Sequence, residues 1–107
     1  MTTNKDNSDA ASTLTNPTGY VWVVVGETGQ YSDYTEWNVA GFETEQLAEE
    51  FKNLCQVEAD KVNGQGWEVR DGFRHKYDTQ FYCDYTGTLY RVAMVEVYNS
   101  LPQNAKD

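Results

Sequence analysis

Tyr20-Val21-Trp22-Val23-Val24-Val25 is an unbroken run of six β-prone apolar residues, and it leads straight into Gly26-Glu27-Thr28-Gly29. A run of that length, rich in β-branched side chains and closed by glycines, reads as a strand buried on both faces and ended by a turn. The polar, aromatic segment Tyr31-Ser32-Asp33-Tyr34 follows it. A core strand beside an exposed aromatic loop locates a folded body and a surface next to it.

Working outward, Thr35-Glu36-Trp37-Asn38-Val39-Ala40-Gly41-Phe42 alternates as a second strand. Period-two geometry puts Trp37, Val39 and Gly41 on one face and Glu36, Asn38, Ala40 and Phe42 on the other. The intervening loop is short enough for an antiparallel hairpin. Thr44 then suits a helix N-cap, with Glu45 in the first turn. Leu47, Phe51, Leu54, Cys55, Ala59 and Val62 recur at helical spacing opposite Glu45, Glu49, Lys52, Gln56 and Lys61, so an amphipathic helix of about five turns ends at Asn63-Gly64.

Residues 64–87 lose the pattern. Trp67-Glu68-Val69 reads as a short strand, with Phe73 and Phe81-Tyr82 plugging a loop against the body. A long irregular stretch in so small a domain is often functional. Residues 88–98 restore alternation as a last strand, expected to pair with the first at the sheet centre. The predicted architecture is α+β (β-β-α-loop-β), a small, mostly antiparallel sheet of three to four strands with one amphipathic helix on one face.

Length and charge set further bounds. The 107 residues allow one domain. Residues 1–19 are polar and aperiodic and read as a disordered N-terminal tail, residues 20–98 as the domain, and residues 99–107 as a flexible C-terminal tail. No positively charged start precedes an apolar stretch, and the longest apolar run falls far below the ~20 residues of a membrane span. A cytoplasmic protein with no membrane contact is expected, its Cys55 and Cys83 as free thiols. Seventeen acids against eight bases give a net charge of −9. That balance disfavours direct nucleic-acid binding and favours a basic protein surface as partner, or mimicry of a nucleic acid.

Catalytic groups are sparse. His75 is the lone histidine, and a His75–Cys83 nucleophile pair has nothing to orient it. Gly26-Glu27-Thr28-Gly29 lacks the Lys-Ser/Thr of a phosphate loop. The loop acids show no EF-hand spacing. No catalytic residue, metal ligand or cofactor is therefore assigned, and the chain reads as a non-enzyme. The constellation that stands out is aromatic and acidic: Tyr31, Asp33, Tyr34 and Glu36 in one region, Tyr77, Asp78, Asp84 and Tyr85 in the other. Tyrosine offers a large amphipathic contact area at low entropic cost, which suits an interface. Base stacking on these rings would lack adjacent Lys or Arg.

The segments Tyr-Val-Trp-Val-Val-Val-Gly-Glu-Thr-Gly, Tyr31-Ser32-Asp33 and Val39-Ala40-Gly41-Phe42, with Tyr77-Asp78, Asp84-Tyr85 and Tyr90-Arg91-Val92, resemble a family of small uncharacterised proteins of bacteriophages, prophages and bacteria. Thr79 stands where that family's ending has a proline. The resemblance covers residues 20–98 and implies an accessory protein without enzymatic activity. Class-level analogy then points to binding and inhibition of a host protein, such as a defence nuclease, a CRISPR complex or a polymerase. Two other readings stay open: a structural or self-assembling protein, monomer or homodimer, pairing through the edge strand Thr35–Phe42, and a metal-binding protein or enzyme using the loop carboxylates.

Overall fold

The structure, a computed structural model, describes residues 16–101. These fall into two compact units, Val21–Val95 and a smaller one from the flanking residues 16–20 and 96–101. In the smaller unit the Thr18 N–H donates to the Val97 carbonyl at 2.8 Å. Of the expected tails, residues 1–19 and 99–107, the stretches 1–15 and 102–107 lie outside the described residues, while Gly19 already belongs to the first strand.

Element order is β1 (Gly19–Thr28), a 3-10 turn (Tyr31–Asp33), β2 (Thr35–Phe42), α1 (Glu45–Asp60), α2 (Trp67–Gly72) and β3 (Thr88–Val97). The sheet is three-stranded and antiparallel in the order β2-β1-β3, with α1 as its main helix. The α+β fold is as expected. β1 is central, as its unbroken apolar run requires, and β3 pairs with it but forms an edge.

β1 runs three residues past Val25, into the expected turn, because Gly26 pairs with Trp37 inside the ladder. A Cβ at Gly26 would sit 2.7 Å from the Trp37 ring. The glycine therefore makes room for an indole rather than ending a strand. The reversal begins at Gly29, whose φ of +91° suits glycine.

The faces of β2 also differ from simple alternation. Val24 pairs with Ala40 but Val25 with Asn38, so Val39 is an extra, bulged residue. Past a bulge the side-chain parity inverts. Val39 and Phe42, three positions apart, both pack on the core.

Helix α1 starts where Thr44 Oγ1 accepts the Leu47 N–H at 3.2 Å, a cap of about 1 kcal/mol. Its buried stripe is Ala48, Cys55 and Ala59, with Val62 in the turn just beyond. Leu47 and Leu54, expected inside, are half exposed. The small residues let the helix axis approach the sheet, and Val24 and Tyr90 fill the seam. At the sheet edge, the Gln56 amide donates to the Thr88 carbonyl at 3.0 Å and accepts the Tyr90 N–H at 2.9 Å. The Asn63 amide likewise accepts the Thr88 N–H at 2.8 Å and donates to the Thr88 carbonyl. Two carboxamides thus occupy backbone groups of β3 that another strand would otherwise pair with.

Trp67-Glu68-Val69 is not a strand but opens α2. The Val69 and Arg70 N–H groups both donate to the Gly66 carbonyl, and Arg70 Nη1 reaches the Gln65 carbonyl at 2.6 Å. Local bonding closes a helical turn here because no neighbouring strand edge is paired with it. Among the described residues no helix is long and apolar enough to cross a membrane.

Candidate functional site

Hydrogen bonds from Thr28 tie the β1–β2 loop to residues 84–87. The buried Thr28 Oγ1 donates to the Gly87 carbonyl at 2.7 Å and accepts the Asp84 N–H at 2.9 Å. The Gly29 N–H adds a bond to Thr86 Oγ1 at 3.0 Å. Two segments far apart in sequence therefore form one tip. They bring together Tyr31, Asp33 and Tyr34 with Asp84 and Tyr85, five of the eight predicted surface residues.

Within the tip, Asp33 Oδ1 accepts the Gln30 N–H at 3.0 Å and closes the 3-10 turn. Tyr31 heads that turn with φ +54°, and its side chain is 93 % exposed. Tyr85 is also well exposed. The Asp33 carboxyl is held below its ordinary value, first by its interaction with the neighbouring Asp84 side chain and next by the Gln30 N–H. Asp84 Oδ2 is buried with no hydrogen-bond partner among the described residues.

Tyr34 and Glu36 belong to an adjoining polar network. The Tyr34 hydroxyl donates to Glu27 Oε1 at 2.9 Å and to Glu36 Oε1 at 3.2 Å. Arg91 Nη2 lies 2.7 Å from Glu36 Oε1 and Arg91 Nε 3.4 Å from Glu27 Oε1. The hydrogen bond to Glu27 is the main reason the Tyr34 phenol is pushed up to about 12. Arg91 is held charged by the same two carboxylates.

Tyr77 and Asp78 do not join the tip residues in these contacts. The Tyr77 ring stands edge-on to Phe51 at 6.1 Å. Asp78 corrects its reading as a surface acid, since it is only 2 % exposed. Its carboxylate accepts the Trp37 indole N–H at 2.9 Å, the Tyr90 hydroxyl at 2.8 Å and the Gln80 N–H at 3.0 Å. A carboxylate is buried here because donors surround it. Burial and then Asp78 push the Tyr90 phenol far above its usual value, and the same causes raise the Cys55 thiol to about 12.

His75 serves this scaffold. Its Nδ1 accepts the Tyr77 and Asp78 N–H groups at 3.1 and 2.9 Å, so Nε2 carries the proton and donates to the Cys55 carbonyl at 3.0 Å. Cys83 Sγ instead contacts Asn63 Oδ1 at 3.4 Å. Neither residue turns to the other as a base and nucleophile would. Among the described residues no group of three or more His, Cys, Asp or Glu side chains is placed to hold a metal ion.

A second feature was not read from the sequence. α2 and residues 73–83 enclose a cleft of about 340 Å³ whose walls include Trp67, Arg70, Asp71, Arg74, Tyr82 and Cys83. Arg70 Nε donates to the Cys83 carbonyl at 3.2 Å, so the guanidinium is fixed in the wall. The available signal was clustering: Arg70, Arg74 and Lys76 are three of the eight basic residues, within a seven-residue stretch.

Comparison with family models, curated proteins and solved structures gives no match to this chain.

Proposed function

We propose that the chain is a non-enzymatic binding protein whose tip docks on a basic surface of another protein and modulates it. The observation that carries this reading is the nearly full exposure of Tyr31 on a loop clamped by Thr28, beside Asp33, Asp84 and Tyr85. An exposed aromatic held on a rigid loop loses little entropy when it enters a partner's pocket. Flanking carboxylates steer it toward positive charge. With the resemblance to phage and prophage proteins, the reading becomes an accessory protein that acts in the host cytoplasm and inhibits a host component, such as a defence or CRISPR protein or a polymerase. Self-pairing through β2 has less support, because the Gln80 amide already donates to the Asn38 carbonyl at 2.8 Å.

The test is a tagged pull-down from bacterial lysate, wild type against Tyr31→Ala/Asp33→Ala, repeated at low and high salt. A partner retained by wild type, lost by the double variant and weakened by salt supports the reading. The same partners captured by both proteins would remove the tip as the contact surface.

A further inference from the structure

The cleft beside α2 has a chemistry opposite to that of the chain as a whole. The protein carries −9, yet two of its arginines line one concavity. Arg70 is fixed by its bonds to the Gln65 and Cys83 carbonyls, which leave its Nη2 without a partner among the described residues. Arg74 is exposed and has neither an ion pair nor a hydrogen bond among the described residues. Arg91 shows the contrast, since two glutamates hold it. In so acidic a chain, a cation left without a carboxylate is a recognition group in waiting.

The rest of the lining says what it would recognise. Trp67 is 67 % exposed and Tyr82 is 56 % exposed, although both line a concave site. Exposed aromatic side chains in the same lining as two arginines suit a planar ring that carries an anion: the ring stacks, and the arginines take the charge. Asp71 adds a carboxylate acceptor, which a phosphate alone would avoid but the amino edge of a base would use. The volume of about 340 Å³ lies at the lower end of small-ligand sites and admits one ring system with one anionic group. The net charge of −9 disfavours a polynucleotide, whose further phosphates would extend beyond the two arginines.

We propose that this cleft is a binding site for a nucleoside monophosphate, its base stacked on Trp67 or Tyr82 and its phosphate held by Arg70 and Arg74. The site is separate from the protein-docking tip and stands whether or not that reading holds.

The test is calorimetric titration of the full chain with guanosine 5′-monophosphate, with guanosine, inorganic phosphate and phenyl phosphate as comparison ligands. The expected dissociation constant lies between about 10 μM and 1 mM, at least roughly tenfold tighter than for any comparison ligand. Arg74→Ala, at an exposed position, should weaken binding by roughly tenfold or more, and Trp67→Ala by about as much. Circular dichroism confirms that each variant is folded. The absence of heat with the nucleotide at 1 mM, or equal binding of inorganic phosphate or phenyl phosphate, overturns the assignment. Unchanged affinity in folded Arg74→Ala overturns it too.

Discussion

The tip and the cleft are built partly from one continuous segment, yet they are opposite in character. At Cys83 the backbone carbonyl accepts Arg70 and helps form a cationic, aromatic concavity. One residue later, the Asp84 N–H is held by Thr28 and the side chains become acidic and tyrosine-bearing. The tip's loops are bonded to each other and its aromatics project from them; the cleft's arginines are only partly bonded and its aromatics line a hollow. A net charge is a sum, and over 107 residues it conceals a local reversal. Reading partners from total charge alone would have missed this arginine-lined concavity.

The largest effect should come from the scaffold that the two regions share. Asp78→Ala removes the acceptor of the Trp37 indole, the Tyr90 hydroxyl and the Gln80 N–H, leaving buried donors unpaired. A loss of roughly 3 kcal/mol or more is expected in urea unfolding. Binding at tip and cleft should decline together. A variant as stable as wild type would show that the network does not hold the segment in place.

Thiol chemistry sharpens the contrast at the next level. Cys55 is fully buried with its thiol raised to about 12, whereas Cys83 lines the cleft. Alkylation near pH 8, followed by peptide mass spectrometry, should modify Cys83 at least ~100-fold faster than Cys55. Guanosine monophosphate should slow the Cys83 reaction, and a protein docked on the tip should not. Equal rates at both cysteines would mean that the helix–sheet seam opens as readily as the cleft.

The smallest effect belongs to the tip's acid pair. The folded-state value of Asp33 lies below its unfolded value of about 3.8, so its stabilising contribution is complete above that pH. It is lost as pH falls through the folded value. Melts collected from pH 5 down to pH 2 should show a slightly steeper loss in wild type than in Asp33→Asn. Parallel curves would mean that the folded tip, the Gln30 N–H included, does not stabilise the Asp33 carboxylate.

The strands and the long helix were legible because apolar periodicity survives without tertiary knowledge. What escaped was tertiary in origin. The bulge at Val39 inverted the parity of β2, and no local propensity announces an extra residue. Gly26 looked like a turn because its actual purpose, space for the Trp37 ring, involves a residue on another strand. Tyr31, Asp33, Tyr34, Asp84 and Tyr85 read as aromatic and acidic surface residues, and Thr28 joins the two segments that carry them. Asp78 reads the same way, but Trp37 and Tyr90 supply donors that let it be buried. The cleft required α2, and six residues around Trp67 carry too little periodicity to separate helix from strand.

The carboxamides of Gln56, Asn63 and Gln80 bear on how this chain behaves when crowded. Open-ended β ribbons grow by presenting unbroken rows of backbone donors and acceptors at both margins. Here one margin is interrupted at Thr88 and Tyr90 by side chains from α1 and the turn after it, and the other at Asn38. Strand addition at those positions would first have to displace the Gln56 and Asn63 amides on one margin and the Gln80 amide on the other. Occupation of edge backbone groups thus falls to three amide side chains that no reading of catalytic or binding chemistry would single out.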